Sequence, residues 1–201
     1  MLKTAKTEYN IIPELTQRWS PRAFGEKEVP TDALKRIFEA ARWAPSSRNE
    51  QPWRFIIARK GEPHYDKLFE GLNEWNRKWA WTAPVLFSVL AVKKHEYKGR
   101  ENSYCQHDVG LAMGNLLAQA THEGLALHQM AGIHKDKIAE NFGVDEDEYE
   151  VMTITALGYQ DEKRLDELDE KYREAEEKPR DRKPLKELLF AGRTGEAPDW
   201  L

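Results

Sequence analysis

The chain has 201 residues, which is enough for one domain with a substantial core and short for two. Its formal net charge of -4 is mild and its cations are spread along the chain, so nothing indicates the basic face that nucleic-acid binding needs. The single cysteine, Cys105, cannot form an internal disulfide, and no stretch reaches the roughly 18–20 apolar residues that span a bilayer. The N-terminus has no signal-peptide core. We therefore expect a soluble, cytoplasmic protein with neither a nucleic-acid nor a membrane partner.

The first half of the chain opens with an amphipathic lead-in over residues 1–16, and its expected anchors are Tyr9, Ile11, Ile12 and Leu15. A helix is predicted after Pro30, because Thr31 and Asp32 favour a helix start and apolar residues then recur at helical spacing. Pro45 blocks its continuation and begins a loop. Next come a buried strand over 53–58, helices over 63–72 and 74–81, and a buried strand over 85–92.

The longest predicted helix covers residues 103–123 and opens the second half. Gly124 should cap it, and its apolar stripe consists of Val109, Ala112, Met113, Leu116, Leu117 and Ala120. A short strand over 125–130, a helix over 136–142 closed by Gly143, and a strand over 151–157 follow. Because strands and helices do not alternate strictly, an α+β fold is favoured over a doubly wound sheet, and we expect one domain over residues 1–201.

The end of the chain has two unlike parts. Residues 161–178 are highly charged, which predicts a solvated helix or a mobile segment. Residues 179–201 regain large apolar side chains, namely Leu185, Leu188, Leu189 and Phe190. Since a hydrophobic tail after a polar stretch is typical of an arm that packs on another body, we expect residues 179–201 to form such an arm.

Two basic segments lie far apart in the sequence. The first contains Arg18, Ser20 and Arg22 in an Arg-x-Ser-x-Arg pattern, and an extended backbone would place both guanidinium groups and the hydroxyl on one side. The second contains Arg180 and Arg182 between two prolines. Arginine suits bidentate phosphate contacts, so the two pairs together would match a dianionic phosphate. Taken singly, either segment also fits a solvated basic loop or linker.

The segment over residues 44–53 places two serines, an asparagine and a glutamine between two prolines. These donors on a stiffened backbone could hydrogen-bond a polar heteroaromatic ring or a ribityl-like chain. An ordinary capped turn uses the same residue types. The residues alone leave both interpretations open.

Other chemistries find no support in the pattern. His122, His128 and His134 recur every six residues, which suits neither helical nor strand metal ligation, and Cys105 with His107 lacks further zinc ligands. No Gly-x-Gly-x-x-Gly segment follows a strand and no Walker lysine loop exists. We expect neither a metal site nor a side-chain nucleophile.

Taken in order, these segments resemble the nitroreductase family of flavoproteins over nearly the whole chain. The pattern that carries the resemblance comprises Arg18-x-Ser20-x-Arg22-x-Phe24, Ala44-Pro45-Ser46-Ser47-x-Asn49-x-Gln51-Pro52-Trp53, Asn76, Asp108-x-Gly110-x-Ala112-x-x-Asn115-Leu116, His128-Gln129-Met130-Ala131-Gly132 and Arg180-x-Arg182.

The resemblance implies a mostly antiparallel central sheet flanked by helices in an intertwined homodimer. It also implies FMN at the subunit interface, NAD(P)H as electron donor and a small aromatic or quinone-like acceptor, with hydride passing through flavin N5 in a ping-pong cycle. Reduction of enones, dehalogenation, and flavin binding with little turnover are the alternatives for the same fold.

The resemblance further assigns roles to cofactor-binding residues, and no side chain is expected to be catalytic because flavin N5 carries the chemistry. The phosphate end would contact Arg18, Ser20, Arg180 and Arg182, and the pyrimidine edge Arg22. Asn76 would contact the ring or ribityl side, and the backbone of Met130, Ala131 and Gly132 would lie beside the ring. Ser46, Ser47 and Asn49 would come from the partner subunit. The remaining members of the expected set are Trp19, Pro45, Gln51 and Gln129.

Two positions depart from the family pattern. Ala131 stands where many members carry an acidic residue, and Trp79 stands where some carry a basic one. Trp79 would make the pocket more apolar. The lid region, residues 93–103, is short and favours none of the alternative activities.

Overall fold

A computed structural model describes residues 3–96 and 99–201. The helices are α1 (Pro13–Gln17), α2 (Thr31–Arg42), α3 (Pro63–Glu70), α4 (Glu74–Ala80), α5 (Cys105–His122), α6 (Lys135–Phe142) and α7 (Glu170–Glu177). The strands are β1 (Trp53–Arg59), β2 (Val85–Val92), β3 (Ala126–Met130) and β4 (Tyr149–Gly158). Short 3-10 turns cover Ser47–Asn49, Glu162–Glu167 and Leu185–Glu187. The predicted short lid includes residues 97 and 98, which lie outside the described residues.

The strands form one sheet in the order β1-β2-β4-β3, and every pair in it is antiparallel. β2 lies in the interior of the sheet, which explains its nearly unbroken run of buried residues. Helices lie against both faces, so the α+β expectation is confirmed.

Alternate residues of β2 point into two separate cores. Phe87 faces α2 and α5, where it meets Phe38 and Phe55 edge to face at centroid distances of 5.4 and 6.1 Å. Leu86 and Leu90 face the opposite core, which the helices α3, α4 and α6 cover. This period-2 alternation places each core on its own side of the sheet.

The central helix α5 has one buried and one open face. Its buried stripe matches the predicted one except for the half-buried Leu117, and Gly124 ends it with φ +72°. On the other face Leu111 is 37% exposed, and a Cβ at Gly110 or Gly114 would meet no atom within 4 Å in the described part of the chain.

The chain ends differ from the sequence expectations in two ways. Tyr9, Ile11, Ile12 and Leu15, the expected anchors of the lead-in, are 46–60% exposed and lie outside the core of their own chain. Residues 161–178 form the 3-10 turn Glu162–Glu167 and helix α7, which is not fully solvated because Tyr172 and Glu176 are buried. The tail residues Leu188, Leu189 and Phe190 are exposed.

Membrane-spanning helices were also sought. Within residues 3–96 and 99–201, no helix has both the length and the apolar character to cross a bilayer.

Candidate functional site

The segment that follows α1 runs past the ends of β3 and β4. Phe24 bridges Gln160, and the indole Nε1 of Trp19 donates to Gln160 Oε1 at 3.0 Å. The ring Nδ1 of His128, on β3, lies 3.0 Å from the carbonyl oxygen of Pro21. These contacts fix the backbone between Arg18 and Arg22 against the sheet.

Three arginines from the two basic segments converge here. Arg18 donates from Nη1 to Ser20 Oγ at 3.3 Å, and Arg180 donates to the carbonyl oxygens of Lys3 and Thr16. Burial lowers the pKa of Arg18, and the charge of Arg182 lowers it further. The pKa of Arg180 is lowered by burial and then by Arg18 and Arg182. Mutually repelling guanidinium groups that contact neutral oxygens are suited to a multiply charged anion.

Lys3 and Arg22 extend this cationic group. Burial lowers the pKa of Lys3, Glu176 raises it, and Arg22 and Arg180 lower it again. Arg22 forms an ion pair from Nη1 to Glu176 Oε1 at 3.1 Å. We call Lys3, Arg18, Arg22, Arg180 and Arg182 the cationic cluster. Glu176 on α7 is a buried carboxylate beside it.

His128 is neutral in this environment. Burial lowers its pKa to about 4, and the nearby charges of Arg22 and Arg18 lower it too, although the bond to Pro21 opposes the shift. A carbonyl oxygen only accepts, so Nδ1 carries the proton in this contact. The ring centroids of Trp79 and His128 are 4.4 Å apart, and Trp79 is 1% exposed. Trp79 is therefore a core side chain and does not line an open pocket, contrary to its expected effect.

Gly132 follows β3 at a close approach to α4. Asn76 donates from Nδ2 to the Gly132 carbonyl oxygen at 2.9 Å, and the backbone N–H of Asn73 donates to the same oxygen at 3.1 Å. A Cβ at Gly132 would lie 2.3 Å from Asn73 Nδ2, so a larger residue here would have to displace the Asn73 side chain. Asn76 and the strand end at residues 129–132 are thus brought together, with Gln129 and Ala131 exposed and Met130 buried.

The loop after Pro45 has an unusual backbone. Arg48, Asn49 and Gln51 all have positive φ, at 53°, 60° and 47°. Ser46 Oγ accepts from the Gln51 N–H at 3.0 Å, and the N–H of Ser47 donates to Asp108 Oδ2 at 2.9 Å. Such strain persists only when surrounding contacts enforce it, and it is found most often at functional sites.

This loop and the cationic cluster lie at opposite ends of α5. Asp108, in the first turn of α5, holds the loop, whereas His122, the last residue of α5, contacts Glu14 of α1. Their separation of fourteen positions corresponds to about 21 Å along the helix axis. A single chain therefore does not bring residues 45–51 to the cationic cluster.

Each of these two regions borders its own cavity. Arg18 and Trp19 line a cavity of about 610 Å³, together with Leu125 and Tyr159. Ser47 and Arg48 line another, of about 460 Å³, beside His95. The chain thus presents two separate concave surfaces.

Sequence reasoning missed Lys3, Asp108 and Glu176 as parts of these regions. A partial signal existed for Glu176, because it lies four residues after the aromatic Tyr172 and so shares one face of α7 with it. For Lys3 the sequence offers no comparable signal.

A sequence model of the nitroreductase family matches residues 15–74 and 60–159, which is more than half of the chain. The chain belongs to the nitroreductase family. The matched residues include the first arginine segment, the strained loop, Asn76 and the strand end at Gly132. Arg180 and Arg182 lie beyond the match.

Individual proteins agree with this family membership. A solved structure described as an oxidoreductase containing FMN is 34% identical, with a TM-score of 0.88 and 96% of each chain covered. A Streptomyces coelicolor protein, named as a candidate NADH dehydrogenase/NAD(P)H nitroreductase, is 28% identical over 66% of this chain and 74% of its own length. An iodotyrosine deiodinase of Haliscomenobacter hydrossis is 26% identical over 55% of this chain and 62% of its own length.

Proposed function

We propose that this nitroreductase-family protein binds FMN at the cationic cluster and reduces nitroaromatic, quinone or similar electron-poor acceptors in a ping-pong reaction. It is an FMN-dependent oxidoreductase with NAD(P)H as electron donor. The observation that carries the proposal is the convergence of Arg18, Arg180 and Arg182, in which burial and then the charge of Arg182 lower the pKa of Arg18 and of Arg180. When bound, FMN would supply the redox chemistry, which is hydride transfer through N5 between NAD(P)H and the acceptor.

The cationic cluster fits the phosphate end of FMN. Ser20 adds a neutral hydroxyl donor next to Arg18, and Trp19 lies in the same half-buried segment. A dianion between these groups would offset both the burial and the mutual repulsion of the guanidinium groups. We assign Arg18, Ser20, Arg180 and Arg182 to the phosphate.

The strand end can present its backbone to a flat ring, because Gln129 and Ala131 are exposed there. Asn76 is held beside it by its hydrogen bond to the Gly132 carbonyl oxygen. We assign Arg22 to the pyrimidine edge, Asn76 to the ring or ribityl side, and the backbone of residues 129–132 to the side of the ring. Their role is to orient the ring and to balance its charge.

A homodimer would complete the site. The loop with Pro45, Ser46, Ser47, Asn49 and Gln51 is too far along α5 to reach the cationic cluster of its own chain, so we assign it to the FMN of the partner subunit. The open face of α5 and the exposed apolar residues of both chain ends are consistent with a large interface. We propose one domain over residues 1–201, with residues 179–201 as an arm that packs on the partner.

Cofactor binding and turnover test the proposed function directly. The purified protein, loaded with FMN, should be yellow and should lose that colour with NADH or NADPH in the absence of oxygen. Acceptors of the nitroaromatic and quinone classes, screened with both nicotinamides, should then support steady oxidation of the nicotinamide. A protein that cannot be loaded with FMN would refute the proposal.

Truncation tests the arm. Removing the residues after Pro184 should weaken the dimer and FMN retention together, measured by sedimentation and by flavin absorbance per chain. A stable truncated monomer that keeps a full complement of FMN would contradict the shared site.

Reductive dehalogenation is the second candidate function, because a deiodinase is among the relatives. Both reactions need the same FMN site, so cofactor loading does not separate them. Turnover of iodotyrosine against a nitroaromatic, at matched concentrations with chemically reduced enzyme, does separate them. Iodide release with negligible nitro reduction would favour dehalogenation.

A further inference from the structure

Glu176 is a charged residue on the buried face of α7. Leu168, Tyr172 and Glu176 recur at four-residue spacing, and all three are buried. The first two are core residues, whereas the third is a carboxylate whose side chain is only 3% exposed. Burying a carboxylate is unfavourable unless it is paired, so its position calls for a physical explanation.

The two oxygens of Glu176 have different surroundings. Oε1 accepts from Arg22 Nη1 at 3.1 Å, whereas Oε2 is buried and has no hydrogen-bond partner among the described residues. Burial raises the pKa of Glu176, and Arg22 and Lys3 act in the opposite direction. The Arg22 side chain is 27% exposed. A ligand can therefore reach Arg22, but Glu176 lies behind it and is shielded from direct contact.

Helix α7 holds Glu176 in this position. The hydroxyl of Tyr172 donates to the carbonyl oxygen of Trp75 at 2.7 Å, and Asp169 pairs with Lys78 at 3.3 Å. Both partners belong to α4, which also carries Asn76. The Arg22–Glu176 pair is thus tied to the helix that shapes the strand end at Gly132.

We propose that Glu176 is a positioning residue that orients Arg22 and, by cancelling part of its charge, lowers the reduction potential of the bound FMN. The inference rests on the proposed function, in which Arg22 lies at the flavin ring. Reduction adds negative charge to the ring, so an unpaired Arg22 would stabilise reduced FMN more than oxidised FMN. The ionised carboxylate of Glu176 opposes that preference.

The experiment compares the FMN-loaded protein with Glu176→Gln, which removes the charge and keeps the shape. The midpoint potential of bound FMN and the Kd of oxidised FMN are measured at mildly alkaline pH, well above the ordinary carboxyl pKa of about 4.3. We expect Glu176→Gln to raise the affinity for reduced FMN, relative to that for oxidised FMN, on the order of tenfold over wild type. For a two-electron couple this raises the potential by about 30 mV.

Two further variants serve as controls. Glu174→Gln removes a carboxylate from the exposed face of the same helix and should leave the potential unchanged. Glu176→Asp keeps the charge and should lie closer to wild type than Glu176→Gln does. A merely structural role would weaken the binding of both redox forms alike and leave the potential where it is.

Each outcome decides between named possibilities. A Glu176→Gln protein that retains FMN at an unchanged or lower potential overturns the inference. A Glu176→Gln protein that folds but does not retain FMN also overturns it, because Glu176 would then be needed for FMN binding and would not set the reduction potential. Failure of the wild-type protein itself to bind FMN would instead refute the proposed function.

Discussion

Gly132 shows how one missing side chain shapes the site. Since a Cβ here would lie 2.3 Å from Asn73 Nδ2 and 3.0 Å from Asn76 Nδ2, Gly132→Ala must shift the Asn73 side chain, which caps α4 by accepting the Asn76 N–H. We expect a loss of about 1–3 kcal/mol in the free energy of unfolding, which is typical of overpacking, and weaker FMN binding. Thermal unfolding and an FMN titration would measure both.

The neighbouring Ala131 offers a matched control for that change. Because Ala131 is exposed, Ala131→Ser should leave the free energy of unfolding nearly unchanged, and it is a control for stability alone. If Gly132→Ala behaved like Ala131→Ser, the close approach at the strand end would not matter.

His128 should make the stability depend on pH. Its folded pKa of about 4 lies below the ordinary value of about 6.5, so the unfolded chain takes up the proton first as the pH falls. The stabilisation that the neutral ring adds to the free energy of unfolding is therefore fully present above about pH 6.5 and is lost as the pH falls towards 4. The full loss is up to about 3 kcal/mol.

A variant isolates this contribution from that of the carboxylates. His128→Asn keeps a donor for the Pro21 carbonyl and cannot titrate. Chemical denaturation between about pH 4 and 7 should give a shallower pH dependence for His128→Asn than for wild type. Parallel curves for the two proteins would show that folding does not lower the pKa of His128.

At the scale of the element, the strained loop depends on a helix far from it in sequence. Asp108 is 2% exposed and accepts the N–H of Ser47, so Asp108→Ala leaves a half-buried donor unpaired at a cost of about 1–3 kcal/mol. Hydrogen exchange of the Ser47 amide should accelerate and the FMN affinity should fall. His107→Ala removes the exposed partner of the same carboxylate, and it should change neither the exchange rate of the Ser47 amide nor the FMN affinity.

The elements themselves were largely predictable. The helix after Pro30 and the helix ended by Gly124 carry local signals in spacing and capping, and the structure confirms them. Helix α7 was predicted less well, because its charged composition hides a buried face of only a few residues. Local composition cannot indicate which side of a short polar helix meets the core.

At the scale of the whole molecule, the proposed dimer can be tested by mixing subunits. Arg18→Ala should impair the phosphate end within its own chain, and Asp108→Ala should loosen the loop that serves the partner. In a mixed dimer one site then carries both defects and the other carries neither. Differently tagged, co-expressed subunits purified as heterodimers should bind about one FMN per dimer.

The two homodimers are the reference for that experiment, since every site in them carries one defect. A heterodimer that binds no more FMN than either homodimer would show that Arg18 and Asp108 act on the same site within one chain. That outcome would contradict the shared site without questioning the cofactor.

The sequence by itself determined the order of helices and strands, the family membership and the identity of the two arginine segments, because spacing, capping and motif order are properties of neighbouring residues. Only the tertiary structure decided that Arg18 meets Arg180, that Glu176 lies buried against Arg22, and that the loop after Pro45 lies at the far end of α5. These relations depend on how distant segments pack across the sheet, and no local pattern encodes them. The loop after Pro45 and the cationic cluster are thus two separate regions of one chain at opposite ends of α5, and we propose that each forms half of an FMN site.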